Sequence, residues 1–350
     1  HETTFVSLIL MNLMSSLKLK LSLAAKPSVQ KIGYQDSILL IGSCFSENIG
    51  AKLKLHQFSI LENPHGILFN PMSVIQSIQD YIFATKYTEQ DLFLYQDLWH
   101  SWNHHSRFSA ITPQESLQKI NDSIQQAHVF LKNAQHIVIT LGSAWLYQVN
   151  EEAPLGKGQV VANNHKAPTQ WFYKNLMQPE VLKKALQDLI IQLQTFNPSL
   201  NIIFTISPVR HLREGLVENN KSKAVLIYAV HEVVASMHKV AYFPAYEYVI
   251  DDLRDYRFYA EDLVHPNHAA SNYVWEKWVE TYKTEETQLV MKQVAEIEIA
   301  RQHKPHFVGA PNHQQFLVQC INKTEALLLT YPYLTLGAHL AYFKEQLVAK

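Results

Sequence analysis

Two short stretches hold the side chains whose types and spacing point to chemistry. The first is Gly42-Ser43-Cys44-Phe45-Ser46-Glu47, which follows the apolar run Ile38-Leu39-Leu40-Ile41. An apolar run, a glycine and then helix-forming residues read as strand, tight turn and helix, the geometry that lifts a nucleophile to the top of a sheet. Cys44 and Ser43 both sit in that turn, where a backbone amide at the start of the following helix would stabilise an oxyanion. The second stretch is Asp262-Leu263-Val264-His265-Pro266. An Asp three residues before a His can turn back to accept the Nδ1 proton, which fixes the tautomer and leaves Nε2 facing a nucleophile. Each stretch also has an ordinary explanation: a βα unit with a small buried cysteine, and a loop ion pair or helix cap. Together they point to attack of Cys44 or Ser43 on an acyl carbonyl, with His265 as base and then acid and Asp262 orienting it.

These stretches lie more than two hundred positions apart, so the fold must bring them together. Strands are expected at 38–41, 58–61, 137–141 and 202–206, with a last one at 240–243 or 248–250 and an edge strand at 18–23. Helices are expected at 71–84, 113–133, 179–196, 221–239 and 267–284, and then at 287–302 and 312–329. Residues 92–108 are aromatic and His-rich with no clear period, and 151–178 read as a long aperiodic loop, a feature that is usually functional or disordered. Strands alternating with helices imply a parallel sheet covered on both faces. The expected architecture is a flavodoxin-like three-layer α/β/α domain with a mostly parallel five-stranded sheet, plus a C-terminal helical extension. Residues 1–17 are expected to be an N-terminal extension, 18–285 the α/β domain and 286–350 the helical extension. In the extension Leu317, Cys320, Ile321 and Leu328 recur at helical spacing, for capping the domain or for self-association. Cys44, Gly66, Gly142, Arg210 and His265 all follow expected strands, so all are expected on one rim, where open α/β sheets bind ligands.

The bulk numbers remove several functions. The 350 residues are 47% hydrophobic and 17% charged, with a net charge of −1. A large core is affordable, and there is no electrostatic case for nucleic acid or an anionic membrane. Cys44 and Cys320 are the two cysteines, which form neither a disulfide framework nor a zinc pattern and fit a reducing, cytoplasmic setting. No uninterrupted apolar run reaches the length of a membrane span. The apolar stretch 5–14 lacks a preceding Lys or Arg, which weakens a secretory reading without removing it. His100, His104 and His105 match no zinc spacing, so neither metal nor cofactor is expected.

The front and back stretches together resemble the SGNH (GDSL-like) hydrolase superfamily, and Gly42-Ser43-Cys44-Phe45-Ser46 resembles the signature of the GSCFA family, with Ser46 where that family usually has Ala. Asn63-Pro64-His65-Gly66, Trp102-Asn103-His104-His105-Ser106, Thr140-Leu141-Gly142-Ser143-Ala144-Trp145, Ser207-Pro208-Val209-Arg210-His211 and Asp252-Leu253-Arg254-Asp255-Tyr256-Arg257-Phe258-Tyr259 are similar to further stretches of that family, in the same order. The resemblance implies hydrolysis or transfer of acyl groups, on a small-molecule, carbohydrate or lipid ester; the other reading is a non-catalytic binding module on the same fold. It implies a nucleophile slot at Cys44, with Ser43 adjacent, and an oxyanion hole built from the Cys44 and Gly66 amides. The superfamily's third-strand Asn is absent: the motif here is Gly142-Ser143-Ala144, and Ser143 or Asn163 stands as replacement donor. Asn164 occupies the position where the family usually has Cys. His105 reads either as a buried hydrogen-bonded residue or as a rim residue touching substrate. Arg210, with His211, reads as a carboxylate or phosphate ligand or as a partner of Asp251 or Asp255. Tyr256, Phe258 and Tyr259 read as a wall near His265 or as core.

Overall fold

The computed structural model describes residues 21–307 and 309–348. In chain order the elements are β1 (Ser37–Gly42), α1 (Cys44–Leu55), β2 (Ser59–Glu62), α2 (Pro71–Phe83), β3 (Phe93–Tyr95), β4 (Leu98–His100), α3 (Pro113–Asn133), β5 (His136–Leu141), β6 (Trp145–Val149), β7 (Phe172–Leu176), α4 (Pro179–Phe196), β8 (Asn201–Ile206), α5 (Leu216–Ser236), β9 (Val240–Phe243), α6 (His268–Tyr282), α7 (Glu285–Gln302), α8 (Pro311–Thr330) and α9 (Gly337–Val348).

Five strands form one parallel sheet in the order β2-β1-β5-β8-β9. Numbered among themselves, that is the flavodoxin-like 2-1-3-4-5 order, with its switch point between β1 and β5. The fold class is therefore the expected one: three layers, α/β/α, with helices beyond. Side chains alternate along each strand. Ile38 and Leu40 of β1 join Val138 and Ile203 in a core beneath α1 and α6, while Leu39 and Ile41 join Ile137, Ile139 and Phe204 in a larger core under α2, α3, α4 and α5. Several helix starts are legible in sequence for a local reason: Asn70 and Thr112 cap α2 and α3 by accepting the Ser73 and Glu115 amides, each just before a proline. Helices α7 to α9 bury Val294, Leu317, Cys320, Ile321, Leu327 and Phe343 against one another as a separate cluster; near the end of α8 it is Leu327 that is buried, while the expected Leu328 is partly buried against the cluster.

Other expectations change. The edge strand at 18–23 lies partly outside the described residues, and 21–23 carry no strand. The last strand is β9; residues 248–250 are helical, because the chain turns into a short helix at Ala245 that widens into a π-turn through Leu253. Residues 151–178 are ordered. β6 and β7 pair antiparallel, and the connecting chain is held by bonds such as Ala162 N–H to the Trp102 carbonyl (2.8 Å). A small core of Phe93, Trp102, Val149, Val161 and Ala167 lies beneath it. No apolar period marks this hairpin, since Tyr173, Lys174 and Asn175 of β7 are exposed. Among the described residues no helix is long and apolar enough to cross a membrane.

Candidate active site

Gly42 ends β1 with φ +130°, and a Cβ there would stand 2.0 Å from the Thr140 carbonyl oxygen of β5. Only glycine lets the two strand ends press together at the switch point. The chain then turns directly into α1. Ser43 is its N-cap: the hydroxyl accepts the Phe45 amide (3.3 Å) and the residue is fully buried. Cys44 is the first helical residue and is half-buried. The two candidate nucleophiles thus differ in access, Ser43 turned into the cap and Cys44 reaching the surface. Burial pushes the Cys44 thiol above the ordinary range; the Cys44 and Phe45 amides and the Lys223 ammonium pull the other way, and Glu47 adds to the rise.

The Asp–His pair forms as its spacing suggests. Asp262 Oδ2 lies 2.7 Å from His265 Nδ1, while Oδ1 accepts the Val264 and His265 amides at 2.9 and 3.0 Å. The His265 amide, its ring and the Val264 amide hold the Asp262 carboxyl down at about 2. Both side chains are half-exposed. The loop is bound to the sheet rim through Arg210, whose amide donates to the Val264 carbonyl (3.2 Å) and whose guanidinium donates to the Leu263 carbonyl (3.3 Å). Arg210 stacks over Tyr259 and Tyr256, 4.0 and 4.8 Å from the ring centroids. Among the described residues no ion pair joins it to Asp251 or Asp255; Asp255 sits 3.6 Å from Arg257 instead. Tyr259 is buried under Arg210 and Tyr256 is exposed, so the expected wall is half core and half surface.

The expected oxyanion donors are arranged differently from one another. The Cys44 amide opens α1, where helix amides lack intrahelical partners. The Gly66 amide, in contrast, donates to the Asn63 carbonyl (2.7 Å) and is not free, which corrects its expected role. Gly66 has φ +85°, and a Cβ would lie 2.1 Å from His105 Cβ, so its glycine serves packing. His105 is half-buried on the rim, its Nδ1 accepting the Arg107 amide (3.3 Å). The Gly142 and Ser143 amides both donate to the Phe69 carbonyl (2.9 Å each). The Ser143 hydroxyl lies 3.2 Å from that of Ser222. Asn163 accepts the His165 amide (2.8 Å) through its Oδ1 and lines an open cleft of about 450 Å³ shared with Trp145, Tyr147, Arg210 and His211.

Among the described residues no hydrogen bond joins His265 to Cys44 or Ser43. His211 couples electrostatically to both His265 and Lys223, and Lys223 couples to Cys44. Burial, with Lys223 next, pushes the His211 imidazole down to about 4.

The structure also assembles a buried cluster whose connections the sequence reading did not assign. His65 is buried against Asp80 (Nε2–Oδ2 3.0 Å) and the Tyr81 hydroxyl (2.7 Å), and Tyr87 donates to the same Asp80 oxygen (2.8 Å). His104 stacks on His65 with centroids 4.1 Å apart. These histidines are wired into hydrogen bonds and rings, and no cluster fit to hold a metal occurs among the described residues. Lys223 is the other omission. The signal was there: Asn219, Ser222 and Lys223 share a helix face with Leu226, Val230 and Val233, so a lysine falls on the apolar side.

The fold and site define an α/β protein with a polar crevice at the carboxyl rim of a flavodoxin-like sheet. The chain belongs to the GSCFA family: the sequence model of that family matches residues 37–278, more than half of the chain, and that of the GSCFA domain protein, C-terminal domain, matches 294–349. No curated protein matches. Among solved structures it is similar to the Clostridium thermocellum family 3 carbohydrate esterase (11% identity, TM-score 0.33, covering 74% of this chain and 98% of that one). It is similar also to an acetyl xylan esterase, Est2A, of Butyrivibrio proteoclasticus (10%, 0.36, 71% and 63%) and to a carbohydrate esterase family 3 structure from Talaromyces cellulolyticus (7%, 0.35, 74% and 99%).

Proposed function

We propose that the chain is an acyl-ester hydrolase or acyl transferase in which Cys44 attacks the acyl carbonyl and His265 moves the protons. The observation that carries this reading is the Asp262–His265 pair: one carboxylate oxygen accepts the ring Nδ1–H at 2.7 Å and the other takes two backbone amides. That carboxylate is locked from three directions, so Nδ1 carries the proton and Nε2 is left as the acceptor. The Cys44 amide receives the oxyanion at the start of α1, with Asn163 as side-chain donor from the cleft. The thiol proton passes to His265, the thiolate forms an acyl-enzyme, and water or an acceptor alcohol releases the acyl group while His265 returns the proton. Carbohydrate or other small acyl esters are the proposed substrates: the open cleft offers amide and guanidinium donors beside Trp145 and Tyr147. The α/β unit 18–285 carries the site, and 286–350 caps that unit or serves self-association.

The second reading, a binding module with little turnover, is favoured by the raised thiol and by the missing contact between His265 and Cys44. One experiment separates the two: hydrolysis of short acyl esters by wild type, Cys44→Ala and His265→Ala, with labelling by a thiol alkylator and by a serine-directed phosphonate. Turnover that both substitutions abolish supports catalysis. Wild-type rates in His265→Ala would remove His265 as the base, and absence of turnover with unlabelled Cys44 and Ser43 would favour binding.

A further inference from the structure

One turn of α5 is polar where it faces the sheet. Asn219, Ser222 and Lys223 are all buried, and together they grip the rim segments that follow β5 and β8. Asn219 Oδ1 accepts the His211 amide (2.9 Å), and the Ser222 hydroxyl accepts the Ala144 amide (2.7 Å). Lys223 Nζ donates to the Gly142 and Ser207 carbonyls, 2.6 Å each. The sheet register gives these positions meaning. Gly42 of β1, Thr140 of β5 and Thr205 of β8 lie in one row. Two residues beyond each are Cys44, Gly142 and Ser207. The ammonium is therefore bolted to the ends of the two strands that follow β1 across the sheet, on the same rim at which the chain turns from β1 into the helix that Cys44 opens.

Its charge lacks the usual partner. No carboxylate pairs with Lys223 among the described residues; the groups that face it are the Cys44 thiol from α1, the His211 imidazole from the rim after β8, and the Tyr246 ring, 5.9 Å away, from the segment after β9. Two of three ammonium protons are matched by carbonyls. A buried cation in that position is costly unless an anion can form beside it, and of the three neighbours the thiol is the one that ordinarily ionises at the lowest pH.

We propose that Lys223 is a positioning residue for Cys44: its buried ammonium clamps the ends of β5 and β8 and stabilises the Cys44 thiolate from beneath the rim. Ionisation breaks the S–H bond, leaves the electron pair on sulfur and sends the proton to solvent, or to His265 during turnover. The inference rests on Cys44 as the nucleophile of the proposed reaction, but its test needs no substrate. Burial, which pushes Lys223 down to about 7, and the thiol, which pulls it back up, fit the same coupling.

In a Cys320→Ala background, which leaves Cys44 as the only thiol, iodoacetamide alkylation is followed from pH 5 to 10 in the Lys223 protein and in Lys223→Met. The expected result is a thiol titration at least one pH unit higher in Lys223→Met, hence about tenfold slower alkylation at pH 7. Because Met leaves two carbonyls unmatched and risks unfolding, the reciprocal measurement is made as well. The Lys223 side-chain resonance is titrated by NMR in the Lys223 protein and in Cys44→Ala, where the lysine is expected to titrate lower once the thiolate is gone. Coincident alkylation profiles in a folded Lys223→Met protein, or an unmoved Lys223 titration in Cys44→Ala, would overturn the proposal. Shifted titrations without ester turnover would leave the pairing intact and remove only the enzymatic reading.

Discussion

Lys223 and Lys283 are both almost fully buried, and burial pushes both down to about 7. They sit at opposite ends of the sheet and differ in everything else. Lys223, at the carboxyl rim, has two carbonyl acceptors and a thiol as its charge neighbour. Lys283 lies near the start of β1, where α6 hands over to α7. Its Nζ makes no hydrogen bond among the described residues; it rests 3.7 Å from the Phe58 ring centroid, with Asp36 as the neighbouring charge. Tyr34, whose hydroxyl is likewise unmatched, stacks on the other partner of that arrangement, Phe58, at 4.3 Å. The same burial has two meanings. At the rim the cation is oriented and tied to the strands that build the crevice; at the base it is tolerated inside an aromatic stack. A perturbed titration marks a site only when the geometry around it converges.

The largest expected effect tests whether turnover belongs to the rim. His265→Ala should lower ester hydrolysis by about 10²–10⁴-fold, the usual range for loss of a general base, whereas Lys283→Met should leave the rate unchanged. Steady-state kinetics on short acyl esters checks both, and a Lys283→Met rate loss would break the comparison.

Stability comes next, with opposite signs at the two ends. Lys283→Met removes a buried charge whose Nζ makes no hydrogen bond among the described residues and should be neutral or mildly stabilising. Lys223→Met strands the Gly142 and Ser207 carbonyls and should cost on the order of 2–4 kcal/mol. Urea titrations of the two variants read this directly. A third change belongs to neither end: Asp80→Ala leaves His65 and Tyr87 without their buried acceptor and should cost on the order of 3 kcal/mol.

A smaller effect follows from pH. Both lysines titrate lower in the folded chain than the ordinary lysine value near 10.4. Between about 7 and 10 the unfolded chain therefore binds more protons, so each lysine makes stability rise with pH across that window, by at most about 1.4 kcal/mol per pH unit. Below about 7 the cost of the buried charge is present in full. Thermal midpoints at pH 7 and 9.5 should show a shallower rise in Lys283→Met than in wild type; equal slopes would mean that Lys283 is not the titrating group. The smallest effect is expected at the surface, where Arg257→Ala should change stability by no more than about 0.5 kcal/mol, because its ion pair with Asp255 is exposed.

Much of this protein was determined by local sequence. Three of the five sheet strands, β1, β5 and β8, could be read directly from apolar runs, because a parallel strand inside the sheet is buried on both faces, and α2 and α3 from an apolar face and an opening proline. The Asp262–His265 pair was legible for the same reason: its partners are three residues apart, and one turn of chain closes it. The Ser43-Cys44 turn was legible as a turn, but which side chain it buries was not. Tertiary structure alone decided that, by making Ser43 the cap of α1 and leaving Cys44 at the surface. It also spent the Gly66 amide on Asn63 and joined Asp80, His65 and Tyr87. And it set Lys223 against two carbonyls 81 and 16 residues away in the chain. Such contacts are invisible to periodicity because their partners meet only after strands from distant parts of the chain have paired, and the hydrogen bonds left over at the strand ends then choose among whatever polar groups the packing delivers.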